Sequence, residues 1–204
     1  LEAIAELADE FSFSEVRATH NQNIVLADVK KSNLYNLWEK AKISGFATPN
    51  INTLTDMICC PGGDFCSLAN AKSIPIAESI QRKFEDIDYV HDLGDLSLNI
   101  SGCMNACGHH HVGNIGILGV DKKGAEFYQI QLGGSSGIDA SLAKVLGPSF
   151  GESEVPDVIE KILSIYVENR KGDELFIDTY RRIGIDPFKE KVYPENLARK
   201  KRDK

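Results

Sequence analysis

The chain has 204 residues, of which 42% are hydrophobic and 26% are charged, and this composition is typical of a globular protein. It is long enough for one large or two small domains, and the lack of a short-period repeat excludes collagen and coiled coil. A net charge of −7 argues against general nucleic-acid binding, and no apolar run approaches the roughly 20 residues of a membrane helix. We therefore expect neither nucleic acid nor membrane as a partner.

The first 45 residues are predicted to form a helix, two short strands and a second helix. Apolar residues recur at helical spacing over residues 1–11, and a second amphipathic helix is predicted over residues 32–45. Strands are expected around residues 15–19 and 23–29, with a polar turn between them. This segment predicts half of an α+β sandwich, which is too short to cover both faces of a sheet.

The middle of the chain alternates irregular segments with short elements. A helix is predicted to begin near Cys66 or Ser67 and to restart at Pro75. Alternating apolar residues over 96–100 predict a half-buried strand, and a loop comes next. Residues 115–132 then read as a β-hairpin with its turn at 121–124.

The last third is predicted to be helical. An apolar stripe over residues 155–166 predicts one helix that ends at Gly172, and a further helix is expected from Asp173 to Gly184. The residues from 189 to 204 include seven basic and three acidic side chains. We expect a solvated, frayed tail there.

Five cysteines are the most informative feature of the composition. The number is odd and the acidic N-terminus is unlike a signal peptide, so we expect reduced thiols rather than a disulfide framework. Two pairs stand out, Cys60 with Cys66 and Cys103 with Cys107, each in a loop that contains glycine. Thiolates at such positions suit zinc, copper(I) and iron–sulfur clusters. Zinc sites favour shorter spacings than that of the first pair, but from spacing alone zinc, an iron–sulfur cluster and unrelated buried thiols all remain open.

The context of both pairs resembles that of the sirohaem-containing nitrite and sulfite reductases. Residues 60–66 (CPGGDFC) and 102–108 (GCMNACG) are similar to the paired-cysteine signature of that family. The segments 114–119 and 128–134 are similar to the family's segments on the C-terminal side of the signature, and residues 17–23 resemble its ferredoxin-like half-domain. The resemblance extends over about residues 1–185.

The resemblance implies an α+β protein in which a ferredoxin-like half-domain precedes a mixed α/β nitrite/sulfite reductase domain that binds sirohaem and a 4Fe–4S cluster. The corresponding boundaries are residues 1–45 for the half-domain, 46–185 for the second domain and 186–204 for a basic C-terminal tail. Members of the family contain two such repeats, and this chain resembles the second, C-terminal one. The absence of an initiator methionine agrees with the expectation that the chain is part of a longer protein.

The resemblance also implies a ligand set. Cys60, Cys66, Cys103 and Cys107 would hold the cluster, and Cys107 would bridge it to the sirohaem iron. Asn105 would contact the macrocycle, although a turn residue is the alternative. Cys59 is interpreted as a buried neighbour and not as a ligand.

The implied function is the cluster-bearing half of an assimilatory sulfite reductase haemoprotein, which reduces sulfite to sulfide by six-electron transfer. Alternatives are a nitrite reductase of the same family, another enzyme with this fold, or a non-catalytic metal-binding or electron-transfer module with four cysteine ligands. Expected partners are the N-terminal half of the enzyme and an electron donor, either ferredoxin or a flavoprotein subunit, in the cytoplasm. No catalytic residue is assigned, because the family's cationic substrate cage lies largely in the first repeat.

A run of three histidines, His109 to His111, lies directly after the second cysteine pair. Consecutive side chains cannot all face one point, so we expect packing and hydrogen bonding rather than a separate metal site. A role near the cluster or the haem is the alternative.

Overall fold

The structure, a computed structural model, describes residues 1–194 of the chain. It divides into two compact units, Leu1–Pro49 and a second unit that begins at Asn50. Among the described residues, no helix combines the length and the apolar character that crossing a bilayer requires.

The first unit has the predicted order of helix, strand, strand and helix. Its elements are α1 (Glu2–Phe11), β1 (Val16–Ala18), β2 (Ile24–Leu26) and α2 (Leu34–Ile43). The two strands pair antiparallel, with Arg17 opposite Val25. Helix α1 buries three side chains, but α2 buries none, and the side chain of Trp38 on its predicted apolar face is 44% exposed.

The second unit is built on a five-stranded mixed sheet. The strands are β3 (Ile58–Cys59), β4 (Leu98–Ser101), β5 (Ile115–Lys122), β6 (Ala125–Leu132) and β7 (Lys144–Val145). They are hydrogen-bonded in chain order, parallel from β3 to β5 and antiparallel from β5 to β7. The predicted hairpin is β5–β6, and its turn residues Lys123 and Gly124 both have positive φ, as a tight two-residue turn requires.

In the described part of the chain, five α-helices accompany this sheet: α3 (Ile74–Lys83), α4 (Ile87–Asp92), α5 (Val155–Asn169), α6 (Phe176–Ile183) and α7 (Asp186–Val192). Apolar side chains of the sheet and of the helices form one continuous core. The apolar stripe predicted for the long helix is buried throughout in α5. That burial supplies most of the stability of an amphipathic helix.

Two predicted elements differ in the structure. Strand β4 is buried at all four residues rather than half-buried, because it lies between β3 and β5 in the interior of the sheet. Helix α3 begins at Ile74 and not near Cys66, because the backbone of residues 70 and 71 hydrogen-bonds to the loop after β4.

The predicted C-terminal tail, residues 186–204, also differs. Its first part is helix α7, in which Phe188 is fully buried and Val192 nearly so. The ring of Phe188 lies 5.9 Å from those of Phe176 and Tyr180, centroid to centroid. An i, i+4 pair of apolar residues therefore joins this segment to the core, whereas residues 195–204 lie outside the described part of the chain.

Candidate metal centre

The two cysteine pairs lie directly after two neighbouring strands of the sheet. Strands β3 and β4 are parallel, with Cys59 opposite Ile100. Cys60 directly follows β3, and Gly102 and Cys103 directly follow β4. Because the carboxyl ends of adjacent parallel strands lie at the same edge of a sheet, both cysteine loops begin side by side, at the edge where α/β proteins commonly bind ligands.

The first cysteine loop is compact. A single 3₁₀ turn, Gly62–Asp64, comes after Pro61, and the backbone N–H of Cys66 donates to the carbonyl of Gly62 at 2.9 Å. Gly62 has a φ of +60°, and a Cβ there would lie 2.4 Å from the backbone nitrogen of Ser73. The positive φ favours glycine at this position, and the close approach leaves no room for any other residue.

Backbone hydrogen bonds join the first loop to the second. The N–H groups of Asn70 and Ala71 donate to the carbonyl of Gly102 at 2.8 and 3.0 Å. In the opposite direction, the N–H of Gly102 donates to Sγ of Cys60 at 3.1 Å. A Cβ on Gly102 would lie 2.6 Å from the carbonyl oxygen of Ala71, so glycine permits this close approach of the two loops.

The second cysteine loop, residues 102–114, connects two parallel neighbours, β4 and β5. Such crossovers usually contain a helix, but this one is made of turns. It folds back on the strand from which it leaves: the N–H of Gly108 donates to Oγ of Ser101 at 3.1 Å, and Nδ2 of Asn99 donates to the carbonyl of Gly108 at 3.0 Å. Buried polar side chains of β4 therefore hold the loop in place.

The predicted ligands differ in exposure. Cys60 and Cys103 are buried, Cys66 is half-buried and Cys107 is exposed. Asn105, predicted to contact a macrocycle, is also exposed. The outer residues of the second loop are therefore open to a bound group, and the two thiols at the strand ends are covered by protein.

The structure joins the two loops but does not gather the four thiols around one point. Among residues 1–194, no three His, Cys, Asp or Glu side chains are arranged to hold a single metal ion, and no disulfide joins the cysteines. Each cysteine ligand of a cubane binds a different iron atom. The four cysteine sulfurs therefore do not converge on one point, as the ligands of a single zinc ion do. A soft set of four cysteine donors, with an N–H group directed at one sulfur, fits an iron–sulfur cluster.

Cys59 occupies a different environment from its neighbour. It belongs to β3, packs against the hydrophobic core, and its thiol donates to the carbonyl of Cys60 at 3.3 Å. Burial, with a smaller contribution from the charge on Cys60, raises the pKa of Cys59 to about 12. The side chain is therefore a protonated thiol at neutral pH.

The three histidines do not form a cluster that could hold a metal ion within the described residues. His109 is exposed, whereas His110 is 5% exposed, and its Nδ1 is buried with no hydrogen-bond partner in the part of the chain that the structure describes. The rings of His110 and His111 meet edge to face, with centroids 5.4 Å apart. The ring of His110 is therefore held by packing.

The stability of the fold is expected to depend on pH through His110. Burial and, to a smaller extent, His111 lower its pKa from 6.5 to about 4. The unfolded chain therefore binds this proton more readily, so the contribution to stability is complete above about pH 6.5 and is lost as the pH falls toward 4. Through this group, the free energy of unfolding should decrease by about 2 kcal/mol between pH 7 and pH 5, as urea titrations at the two pH values would measure.

The control for this prediction is the exposed neighbour in the same turn. His110→Gln should remove most of the decrease, and His109→Asn, which suits the positive φ of that residue, should retain it. An equal pH dependence in wild type and His110→Gln would contradict the prediction.

Sequence reasoning missed three polar residues of the site: Ser73, Asn99 and Ser101. Each is buried and hydrogen-bonds to one of the cysteine loops. The signal that could have identified Asn99 and Ser101 was a polar residue inside a strand whose other residues are apolar, because a buried polar group needs a partner. For Ser73 no comparable local signal exists, since serine before a helix ordinarily indicates a cap.

Two family models match the chain. The nitrite/sulfite reductase ferredoxin-like half domain matches residues 1–42, and the nitrite and sulphite reductase 4Fe-4S domain matches residues 51–201. The match to the second model includes every strand of the β3–β7 sheet and helices α3 to α7, and it extends beyond the described residues.

Curated relatives include proteins named nitrite reductase and proteins named sulfite reductase. A protein named assimilatory ferredoxin-dependent nitrite reductase, from Haloferax mediterranei, is 26% identical over 197 residues, which are 94% of this chain and 33% of that protein. A protein named sulfite reductase (ferredoxin), from Mycobacterium tuberculosis, is 27% identical over 186 residues, which are 86% of this chain and 33% of that protein. The chain therefore spans about a third of the length of these relatives.

A solved structure supports the same relationship. The NirA protein of Mycobacterium tuberculosis has a TM-score of 0.77 at 25% identity, over 91% of this chain and 36% of that protein. The predicted fold class, a ferredoxin-like half-domain followed by a mixed α/β domain, is confirmed. These relatives are named as reductases, and the model that covers most of the chain describes a 4Fe–4S domain. The chain belongs to the nitrite and sulfite reductase family.

Proposed function

We propose that this chain is the cluster-bearing half of an assimilatory sulfite reductase, with Cys60, Cys66, Cys103 and Cys107 as the ligands of a 4Fe–4S cluster. The observation that carries the proposal is the start of both cysteine loops at the carboxyl ends of the parallel strands β3 and β4. The hydrogen bond from Gly102 to the Cys60 sulfur supports it, because such bonds stabilise a metal-bound thiolate.

The exposed end of the second loop is proposed to contact sirohaem. Cys107 would share its sulfur between the cluster and the haem iron, and Asn105 would lie against the macrocycle; both side chains are exposed. When bound, the two groups would supply electrons, one at a time, for the reduction of an oxyanion. The chain's own contribution is to hold the loop rigidly, through the bonds from Asn99 and to Ser101.

Sulfite is the proposed substrate, and its six-electron reduction to sulfide the proposed reaction. The preference over nitrite rests on the similarity of residues 107–111 (CGHHH) and 128–131 (YQIQ) to sulfite-type members of the family. Nitrite reduction is the alternative within the same site, since relatives of both names match this chain equally well. The groups that neutralise the substrate's charge are not assigned to any residue of this chain.

The proposed principal partner is the N-terminal half of the enzyme. It corresponds to the part of the relatives' length that this chain does not cover, about two thirds. The first unit supports this proposal, because its strands and α2 leave apolar side chains exposed, among them Ile24, Val25 and Trp38. We propose a half-domain, residues 1–45, and a cofactor domain that begins at residue 46 and includes helix α7, whose Phe188 and Val192 belong to its core. Ferredoxin or a flavoprotein subunit would supply the electrons, and clustered reduced thiols agree with a cytoplasmic location.

Metal analysis tests the proposed cluster. Anaerobic reconstitution should give about four iron and about four acid-labile sulfides per chain, as a single cubane requires. One zinc per chain with no labile sulfide would instead support the non-catalytic module with four cysteine ligands and reject the proposal. The iron-to-zinc ratio therefore separates the two functions without any activity assay.

Coexpression with the N-terminal half of a relative tests the reaction. The complex should show sirohaem absorption and should oxidise a reduced donor dye when sulfite is added, faster than with nitrite at equal concentration. Because half of the proposed haem pocket lies outside this chain, the chain alone should bind sirohaem poorly and be inactive. A haem-loaded, active preparation of the chain by itself would contradict this part of the proposal.

A further inference from the structure

Ser73 stands at the start of helix α3 but does not act as a helix cap. It occupies the N-cap position, where serine ordinarily accepts a hydrogen bond from the backbone of the first turn, yet its side chain makes no such bond. Ser73 is completely buried, and its Oγ lies 3.4 Å from Sγ of Cys60. The hydroxyl is therefore directed at a proposed cluster ligand and not at its own helix.

The packing around Ser73 holds this hydroxyl between the two cysteine loops. A Cβ on Gly62 would lie 2.7 Å from Oγ of Ser73, and a Cβ on Gly102 would lie 3.0 Å from the same atom. The hydroxyl thus fills the space that the missing side chains of two glycines leave, one glycine in each loop. This confinement favours the orientation that reaches the sulfur.

The direction of the hydrogen bond follows from the state of Cys60. A thiol could donate to the hydroxyl, but a thiolate that binds iron carries no proton and can only accept. Ser73 must then be the donor, beside the N–H of Gly102, which donates to the same sulfur at 3.1 Å. Two donors from different parts of the chain therefore meet at one sulfur atom.

We propose that Ser73 is a positioning residue that tunes the cluster through Cys60, an inference that rests on the proposed function. A hydrogen bond to a ligand sulfur stabilises negative charge, and the reduced cluster carries one more negative charge than the oxidised one. The hydroxyl of Ser73 therefore raises the reduction potential of the cluster. This makes the cluster easier to reduce by an external electron donor.

The test compares Ser73→Ala with Ser79→Ala in the reconstituted full chain. Ser79 lies on the same helix, but its hydroxyl donates to the carbonyl of Ile76 at 2.7 Å. Redox titration followed by electron paramagnetic resonance should give a more negative midpoint potential for Ser73→Ala and no change for Ser79→Ala. The iron–cysteine stretching frequency in resonance Raman spectra should rise in Ser73→Ala alone, because loss of a hydrogen bond strengthens the iron–sulfur bond.

Ser73→Thr provides a second variant, because threonine keeps the hydroxyl donor, and its potential should lie nearer to that of wild type than the potential of Ser73→Ala does. If wild type binds no cluster, the proposed function fails and this inference fails with it. If the cluster binds and Ser73→Ala leaves the potential and the stretching frequency unchanged, only the inference fails. Loss of the cluster from both Ser73 variants would likewise overturn the inference, since Ser73 would then be needed to assemble the cluster and not to tune its potential.

Discussion

Cys60→Ala is expected to abolish cluster binding. Iron per chain after anaerobic reconstitution should fall from about four to below about one, because a cubane that loses one of four thiolates loses both a bond and a charge. Cys60 is a proposed ligand whose protein environment is well defined: it is buried, and its sulfur has contacts to the N–H of Gly102 and the hydroxyl of Ser73. Iron and sulfide analysis, together with the absorption spectrum, measures the loss.

Cys59→Ala is the matched control, since it removes the adjacent thiol of the same segment. The thiol of Cys59 donates to the carbonyl of Cys60 and packs against the core, so its removal should leave iron at about four per chain. The reverse result, in which Cys59→Ala loses the cluster and Cys60→Ala keeps it, would identify Cys59 and not Cys60 as the first ligand. Equal retention in both variants would reject a cluster at these loops.

The elements that the sequence predicts well are those whose local pattern agrees with their tertiary environment. Helix α5 has an apolar stripe of helical period that is buried throughout, and the β5–β6 hairpin has the positive-φ turn that its glycine indicates. The half-domain's order of elements follows from similarly local signals. The spacing of the cysteines is also a local signal, and it selected the two loops that the structure places side by side.

The elements that the sequence did not reveal depend on distant partners. Strand β3 is two residues long and exists because β4 pairs with it. Helix α7 begins among residues whose charge suggested a tail, and its place in the core depends on the rings of Phe176 and Tyr180. Composition favoured solvent for this segment, but the burial of Phe188 decides its structure.

The same reason explains which parts of the candidate site were predicted. The proposed cysteine ligands follow from motifs, since their residue type is chemically demanding. The residues that hold the loops, such as Asn99 and Ser73, are ordinary polar side chains that gain their role from residues 9 and 13 positions away. Only the packing of the two loops against the strand ends brings these groups to the sulfur and to the turns.

Gly108→Ala is expected to cause the largest loss of stability among the glycine-to-alanine substitutions in the second loop. A Cβ at this position would lie 2.0 Å from the carbonyl oxygen of Ile100 and 2.8 Å from its carbon. Both atoms belong to the backbone of the interior strand β4, which pairs on both sides and cannot move away. Overpacking of this kind costs about 3 kcal/mol or more, and the free energy of unfolding from urea titration should fall by that amount.

Gly63→Ala is the control within the other cysteine loop. A Cβ there would find its nearest neighbours at 3.5 Å, an ordinary van der Waals distance, so the free energy of unfolding should change by less than about 1 kcal/mol. The two variants add the same methyl group, so a difference between them measures the close approach of Gly108 to β4. If Gly108→Ala proved as stable as Gly63→Ala, the second loop would not be fastened to its strand, and the rigid presentation proposed for Asn105 and Cys107 would lose its structural basis.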